Sequence, residues 1–433
     1  NYFTIGFLIF ITILNMNQTS RSLYLEIALL SIFIISLPST EALKNISWLL
    51  YAITWFANRT ASKNWGDSWD RWDTLFIFWL PSGLVVALIS NQGLQEWDGA
   101  TDLLRYIGVG WLIYRAQYSP KVITTLITII IISTLIALIH GYWNWQIVHH
   151  KNALMLKSVG HVNHSAIYLA ISAGLSSSVL FAFWKKMGHL TWLLSLVTAL
   201  ALIWATLLTS ARGSMVPLLL LFPIAGLLLW KRSKAPFIAS FLIITVMGGI
   251  AVQQKLPIVN KTISIFTSNG IGARDRTVNT GLLIWRANAI AGVGMENYGV
   301  FDRSERLKQL SIEIDGSYDS RKYLPNMGHA HNLYANTLAE RGLVGFIPLL
   351  AVMLYWAIYI YRFRPTKTTS SITTASWGGS LSAWILSFVG GVFNTTMHHE
   401  HAILSILLLT LWLSMLKHDK AKNQSTTNSS SVS

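Results

Sequence analysis

The sequence predicts an all-α, polytopic membrane protein, and three observations lead to that prediction. Only 12% of the 433 residues are charged, about half the usual share in soluble domains, while 52% are hydrophobic. The mean hydropathy is positive, at +0.47. The apolar residues fall into long runs separated by short basic connections, which is typical of helices that cross a bilayer. We therefore expect one membrane bundle rather than several soluble domains.

Twelve apolar segments are long enough to be considered as membrane spans, although several fall short of the roughly 20 residues that a span needs. A further short segment, 3–16, could either span the membrane or lie along its interface. Together these give about twelve transmembrane helices, nine before residue 252 and three within 343–416. The twelve segments are residues 23–38, 43–57, 74–90, 102–114, 121–140, 165–184, 190–208, 215–230, 236–252, 343–361, 376–394 and 402–416.

The distribution of Lys and Arg between these segments predicts the orientation. One set of connections holds seventeen basic residues, whereas the short connections on the other side hold only Lys44, Lys151, Lys157 and Arg212. Short loops rich in Lys and Arg remain in the cytoplasm. We therefore expect Arg212 on the outer face of a bacterial inner membrane. The same scattered distribution argues against nucleic acid as the partner of a chain with a net charge of +15.

Two segments differ from the apolar spans. Residues 253–342 form a long connection of mixed polarity, and the charge distribution assigns it to the outer side. It contains aromatic residues that can pack against the bundle, so we expect a large loop with short helices rather than disorder. Residues 417–433 are polar and rich in Ser, Thr and Asn, which predicts a disordered cytoplasmic tail.

Three polar clusters on the predicted outer face could carry chemistry. Arg212 lies in a short turn, Ser210-Ala211-Arg212-Gly213, between two apolar helices, where topology does not require a cation. Its planar guanidinium suits a phosphate, and the alternative is an arginine that reaches to lipid headgroups. Arg274 and Arg276 lie in the long loop, and two arginines at this spacing point in different directions on a helix. They could instead form a solvated turn neutralised by Asp275.

Histidines form the other clusters. His329 and His331 precede Asn332 at the start of the last group of spans, where a neutral imidazole can accept a proton from a hydroxyl. His161, His164 and His398 lie at other outer positions, with two more histidines at 399 and 401. Imidazoles can bind zinc, but the spacing matches no specific site, so we expect polar residues that line a vestibule and no metal or other cofactor. A loop histidine is also commonly structural.

The clusters become more informative together than singly. All of these arginines and histidines fall on the outer face, under an orientation derived mainly from other residues. Several cations and a candidate base would then surround one entrance from the lipid. This arrangement suits an anionic diphosphate headgroup and an incoming hydroxyl.

The chain resembles the O-antigen ligase and polymerase superfamily of bacterial envelope glycosyltransferases. The matching motifs cover about the second half of the chain in the family's order. They are the Asn163-His164-Ser165 start of a span, Ser210-Ala211-Arg212-Gly213, Arg274 ahead of Gly292-Val293-Gly294, and His331-Asn332 followed by Glu340-Arg341-Gly342.

The resemblance implies an enzyme that transfers a glycan from undecaprenyl diphosphate on the periplasmic face, without a metal or a nucleotide sugar. It implies that Arg212 and Arg274 bind the diphosphate and that His331 is the base, with Arg276 a competitor for the role of Arg274. Within the superfamily we expect a ligase that uses lipid A–core as acceptor. The chain has no Arg followed by Gly eleven positions later, a spacing common in the polymerases, and only seventeen polar residues after the last span, unlike the protein O-oligosaccharyltransferases.

A non-enzymatic transporter of lipid-linked glycans remains an alternative from a different class. Such a protein would need charged or polar groups along a path through the spans. Here the spans are nearly free of charge at their centres, and the polar groups cluster at one end. That distribution favours a site on one side of the membrane.

Overall fold

The computed structural model describes residues 18–90, 93–148, 153–255, 259 and 272–430, and within these ranges the chain is helical with no strand. The prediction of an all-α fold is confirmed. The helices are α1 (Gln18–Ser36), α2 (Glu41–Ser62), α3 (Arg71–Trp79), α4 (Ser82–Ser90), α5 (Leu94–Ala116), α6 (Pro120–Trp143), α7 (Val162–Phe183), α8 (His189–Leu208), α9 (Arg212–Leu228), α10 (Ala235–Gln253), α11 (Gly272–Ala287), α12 (Tyr298–Phe301), α13 (Ser304–Asp315), α14 (Leu333–Arg362), α15 (Ser371–Trp384) and α16 (His399–Ser430).

Six helical segments of the described chain are long and apolar enough to cross a membrane. Each of the twelve predicted spans overlaps a helix, so the count of twelve remains a prediction for the shorter ones. Segment 3–16 lies outside the described residues. The six are Arg71–Ser90, Pro120–Val148, Val162–Phe183, His189–Leu208, Leu333–Arg362 and His399–Lys422.

The bundle leaves large apolar side chains on its outside. Leu88, Ile139 and Leu190 are 68–70% exposed, which would be unfavourable in water and is the expected state of residues that face lipid. The helices in the middle of the bundle are instead buried on all sides. α7 packs against α8 and α15, and α16 packs against α5 and α15. α7 and α16 also pack against each other and form the centre of the bundle. The histidines at the beginnings of these two helices are therefore brought together.

The long connection folds into the short helices α11, α12 and α13, whose apolar side chains form a small core of their own. Its predicted end at residue 342 coincides with a break in α14. Gly342 has φ 54° and ψ −154°, so α14 consists of one short segment before this glycine and a long apolar one after it. The predicted span 343–361 is the second of these segments, and the first carries polar residues toward the site.

The disordered tail expected from residue 417 stays a prediction. α16 runs to Ser430, and the first polar residues beyond its apolar stretch have partners in the bundle. Lys417 lies over the ring of Tyr114, with its Nζ 3.6 Å from the ring centroid. Asp419 accepts a hydrogen bond from Thr373 at 2.8 Å. Composition alone does not reveal such partners.

Candidate active site

An apolar cavity of about 850 Å³ lies between α8, α9, α10 and α11. Its walls are formed mainly by aliphatic side chains of α9 and α10. Three polar side chains predicted as site residues line the same cavity, namely Arg212, Arg274 and Asn332. An amphiphile with a long apolar chain and an anionic head matches this combination of surfaces.

Arg212 and Arg274 belong to different elements that meet at this cavity. Arg212 is the first residue of α9, where the helix dipole also favours an anion. Arg274 lies in the first turn of α11. Burial, and secondly the charge of Arg212, lower the pKa of Arg274. The two guanidiniums therefore act on each other as like charges, which a bound diphosphate would relieve.

Arg276 points elsewhere, although it lies only two residues from Arg274. Its Nη2 donates to the carbonyl of Tyr323 at 3.2 Å and so holds the loop after α13 against α11. It does not line the apolar cavity. The sequence left open which of the two arginines would bind the diphosphate. In the structure Arg274 lines the cavity, whereas Arg276 binds a backbone carbonyl.

His329 and His331 form a pair in the loop before α14. The Nε2 of His329 lies 3.1 Å from the Nδ1 of His331, and their ring centroids are 4.0 Å apart. His331 has a positive φ of 49°, which is uncommon for a residue other than glycine. This conformation brings the two rings to the same side of the loop. Backbone strain of this kind is frequent at functional sites.

Burial, and secondly the neighbouring His329 and Arg274, lower the pKa of His331 to about 4. The pKa of His329 is lowered as well, mainly by burial. Both imidazoles are therefore neutral at neutral pH, and one ring nitrogen of the pair must donate to the other. If the Nδ1–H of His331 donates to His329, the Nε2 of His331 carries a lone pair and can accept a proton.

Two further residues fix the loop that carries this pair. Asn332 caps α14 by accepting hydrogen bonds from the backbone amides of Tyr334 and Ala335, both at 2.9 Å, and its amide donates to the carbonyl of Val392. The Asp302 carboxylate accepts from the amides of Met327 and Gly328 at 2.6 and 2.7 Å. Asn332 thus has a structural part to play. Asp302 was not singled out from sequence, since a buried loop aspartate has no local signature.

The remaining predicted histidines lie at the beginnings of α7 and α16. His161 caps α7, its Nδ1 accepting from the amide of Asn163 at 3.2 Å. His161 and His164 line a polar cavity of about 500 Å³, together with Lys44, Asp102 and other charged residues. His398 packs against His164, with ring centroids 6.1 Å apart.

The Gly-Val-Gly and Glu-Arg-Gly motifs pack against each other. The amides of Val293 and Gly294 donate to the carbonyls of Ala339 and Glu340, at 2.9 and 3.0 Å. In return, the amides that the break at Gly342 releases donate to the carbonyls of 289 and 290. A Cβ on Gly292 would lie 2.4 Å from the carbonyl carbon of Glu340. These hydrogen bonds and this close packing hold the loop against the first segment of α14.

Part of the chain matches a described protein family. Residues 196–350 match the family described as O-antigen ligase, and this stretch contains Arg212, Arg274, His329 and His331. An uncharacterised protein of Haemophilus influenzae is 24% identical over 305 residues, which is 66% of this chain and 71% of that protein. The resemblance drawn from the motifs is thus confirmed, and the match supports membership of the O-antigen ligase superfamily of membrane glycosyl-transferring enzymes.

Proposed function

We propose that this protein is an O-antigen ligase. It would transfer a glycan from undecaprenyl diphosphate to a hydroxyl of lipid A–core on the periplasmic face of a Gram-negative inner membrane. The observation that carries the proposal is the apolar cavity with Arg212 and Arg274 in its lining, next to the loop that holds His331. The matched family supports the same reading.

The cavity suits the lipid part of such a donor. Its aliphatic walls would bury the isoprene units nearest the diphosphate, and each buried methylene contributes about 0.8 kcal/mol. The diphosphate would then lie between Arg212 and Arg274, where two guanidiniums can each donate two parallel hydrogen bonds. Arg276 instead donates to the Tyr323 carbonyl at 3.2 Å, which favours Arg274 for this role.

His331 would act as the general base. Its Nε2 takes the proton of the acceptor hydroxyl while that oxygen attacks the anomeric carbon. The bond between this carbon and the diphosphate oxygen breaks, and the leaving group keeps the electron pair. The negative charge that develops on the diphosphate is stabilised by the arginines. Displacement by a single activated hydroxyl inverts the anomeric configuration.

The polar cavity lined by His161 and His164 would hold the acceptor. Carboxylates such as Asp102 accept hydrogen bonds from sugar hydroxyls, and the Arg105 guanidinium suits a phosphate of a core oligosaccharide. Donor and acceptor would then reach His331 from different cavities. A neutral imidazole between them is in the protonation state that a base requires.

The test is His331→Ala in the native host, with lipopolysaccharide analysed by gel and undecaprenyl-linked glycan measured in parallel. Loss of a general base typically lowers the rate by about 10²–10⁴. A ligase predicts that capped lipid A–core disappears while long lipid-linked polymer accumulates. Caps of a single repeat unit would instead identify a polymerase. Unchanged lipopolysaccharide with loss of pilin glycosylation would identify a protein O-oligosaccharyltransferase.

His189→Ala is the matched control, because His189 is exposed and begins α8 at the end far from the site. α8 is about 30 Å long at 1.5 Å per residue. The control variant should behave as wild type. A transporter would be revealed in vitro, where purified protein, lipid-linked donor and acceptor would release no undecaprenyl diphosphate. Normal lipopolysaccharide and pilin in a folded His331→Ala strain would contradict the assignment of the base.

A further inference from the structure

Three histidines that are distant in sequence meet where α7 and α16 begin. His164 lies in the first turn of α7, His398 directly precedes α16, and His399 is its first residue. Each offers one ring nitrogen, and these atoms all lie within 4.8 Å of one another. The two helices pack against each other, so the cluster is a consequence of the central pair of the bundle.

The geometry is close to that of a metal site with three imidazole ligands. Zinc binds histidine nitrogens at 2.0–2.1 Å, which places the nitrogens of a tetrahedral site about 3.3 Å apart. The observed separations are at most 4.8 Å, so the ring nitrogens would have to approach one another by up to about 1.5 Å to bind one ion. The rings of His398 and His399 are also close to each other. They lie edge to face, with their centroids 3.8 Å apart.

The backbone adopts a special conformation to bring the ligands together. Met397 and His399 have positive φ angles of 56° and 52°, in the region that residues other than glycine rarely occupy. Both flank His398. Two such residues in three positions form a tight turn that directs adjacent histidines toward His164 rather than to opposite sides.

A fourth histidine, His401, is fully buried beside the cluster. Its ring centroid lies 5.3 Å from that of His164. Within the described part of the chain, neither of its ring nitrogens makes a hydrogen bond. Buried polar groups are nearly always satisfied, so an imidazole without partners indicates a missing ligand or ion.

We propose that His164, His398 and His399 bind a divalent first-row transition metal ion, with His401 as an adjoining imidazole. Neutral imidazole ligands suit zinc, and three protein ligands leave a fourth position open. Asp102 and Glu400 line the same polar cavity as His164 and His399, and Asp102 forms an ion pair with Arg105 at 2.7 Å. Glu400 is itself held by a buried ion pair with Lys44.

No step of the proposed glycan transfer requires this metal ion. Its role would be to fasten the beginning of α7 to the beginning of α16. These two helix ends carry His161 and the wall of the polar cavity, so metal binding would set the shape of that cavity. Residues 164, 398 and 399 are too far apart in the sequence to match a short metal-binding motif. Spacing alone therefore did not predict the site.

The test measures metal on the full-length protein in detergent, purified through a tag without histidines. The protein is stripped with a chelator, dialysed against ZnCl₂ and analysed for zinc by mass spectrometry. We expect about one zinc ion per chain for a single site, and a background level in His164→Gln and in His398→Gln. His189→Gln, which removes an exposed histidine far from the cluster, should retain the wild-type content.

Two further readouts guard against misfolded variants and surface binding. CoCl₂ should give the strong visible absorption of four-coordinate cobalt with wild type and with His189→Gln only. ZnCl₂ should raise the Tm of wild type, because an ion that binds only the folded state stabilises it. The two cluster variants must elute as monodisperse protein and show no such rise. Wild type without bound zinc, or cluster variants that bind as much as wild type, would overturn the proposal.

Discussion

The Nε2 of His329 lies 3.1 Å from the Nδ1 of His331, and this contact determines which nitrogen of His331 can act as a base. In a Ser-His-Asp triad a buried carboxylate holds the histidine in the required tautomer. Here a second imidazole occupies the equivalent position and is itself neutral. The catalytic tautomer therefore needs His329 to accept the hydrogen, with its own proton on Nδ1. In this proposal His329 would act as a positioning residue for His331.

This relationship predicts unequal effects of the two histidines on transfer in vitro. His331→Ala removes the base and should lower kcat by about 10²–10⁴. His329→Ala leaves the base in place but releases its tautomer, so we expect a loss of roughly tenfold, with KM for the donor unchanged. Steady-state assays with purified donor and acceptor measure both. An equal loss in the two variants would mean that His329 also contacts substrate.

The pKa of His331 predicts the acid limb of the pH profile. Its pKa is lowered from 6.5 to about 4, mainly by burial, so the base stays neutral well below pH 6. The rate at limiting donor should therefore fall with an apparent pKa near 4 in the free enzyme. Arg274→Gln removes a positive neighbour, which should raise the pKa of His331 and shift the acid limb upward. His329→Ala should shift it in the same direction.

The low-pH measurement needs a control for unfolding. A histidine with a lowered pKa in the folded state binds fewer protons than in the unfolded chain between about pH 6.5 and 4, so stability falls as the pH falls through this window. Protein exposed to pH 4.5 and returned to neutral pH should recover full activity if the limb reports protonation alone. An acid limb that remains near 6.5 after this control would contradict the assignment of His331.

Arg274 and Arg276 provide a matched pair for testing the donor site. Arg274 lines the apolar cavity, whereas Arg276 binds the Tyr323 carbonyl. Hydrogen bonds to charged groups contribute about 1.5–3 kcal/mol, so Arg274→Ala should weaken donor binding by roughly 10–100-fold. Arg212→Ala should have a similar effect. Arg276→Ala should instead lower the Tm with little change in donor affinity.

Binding of a fluorescent polyprenyl diphosphate to protein in nanodiscs measures these affinities directly. Arg274→Lys keeps the charge but loses the paired hydrogen bonds, so an intermediate affinity is expected. Equal donor affinities for Arg274→Ala and wild type would remove this arginine from the site. Weaker binding by a stable Arg276→Ala variant would transfer the role to Arg276.

The all-α class was predictable because hydrophobic runs and basic loops are local signals. The end of the long connection was placed at residue 342 from the apolar run that follows it, whereas the φ of 54° at Gly342 has no local signal in the sequence. Arg212 was predictable as a site residue because its short turn lies between two apolar runs, which is also a local signal. Such features depend on residues close together in the sequence.

The parts that could not be predicted depend on packing between distant segments. The direction of Arg276 is set by a carbonyl 47 residues away, and the grouping of His164 with His398 by the packing of α7 on α16. Asp302 supports the His329 loop through backbone amides, a contact with no sequence signature.

The interlock of Gly292 with the break at Gly342 gives a final prediction, on folding. A Cβ at Gly342 would lie 2.3 Å from the carbonyl oxygen of Ile290, and φ at this residue is +54°. Gly342→Ala therefore combines backbone strain with a clash against backbone that cannot move aside, and should destabilise the protein by on the order of 3 kcal/mol or more.

Gly316→Ala is the matched control, since φ is also positive there, at +78°, but the space around it is open. It should cost only about 1 kcal/mol. Thermal unfolding in detergent should rank wild type above Gly316→Ala and both well above Gly342→Ala, and equal Tm values for the two variants would show that the motifs do not clamp the loop.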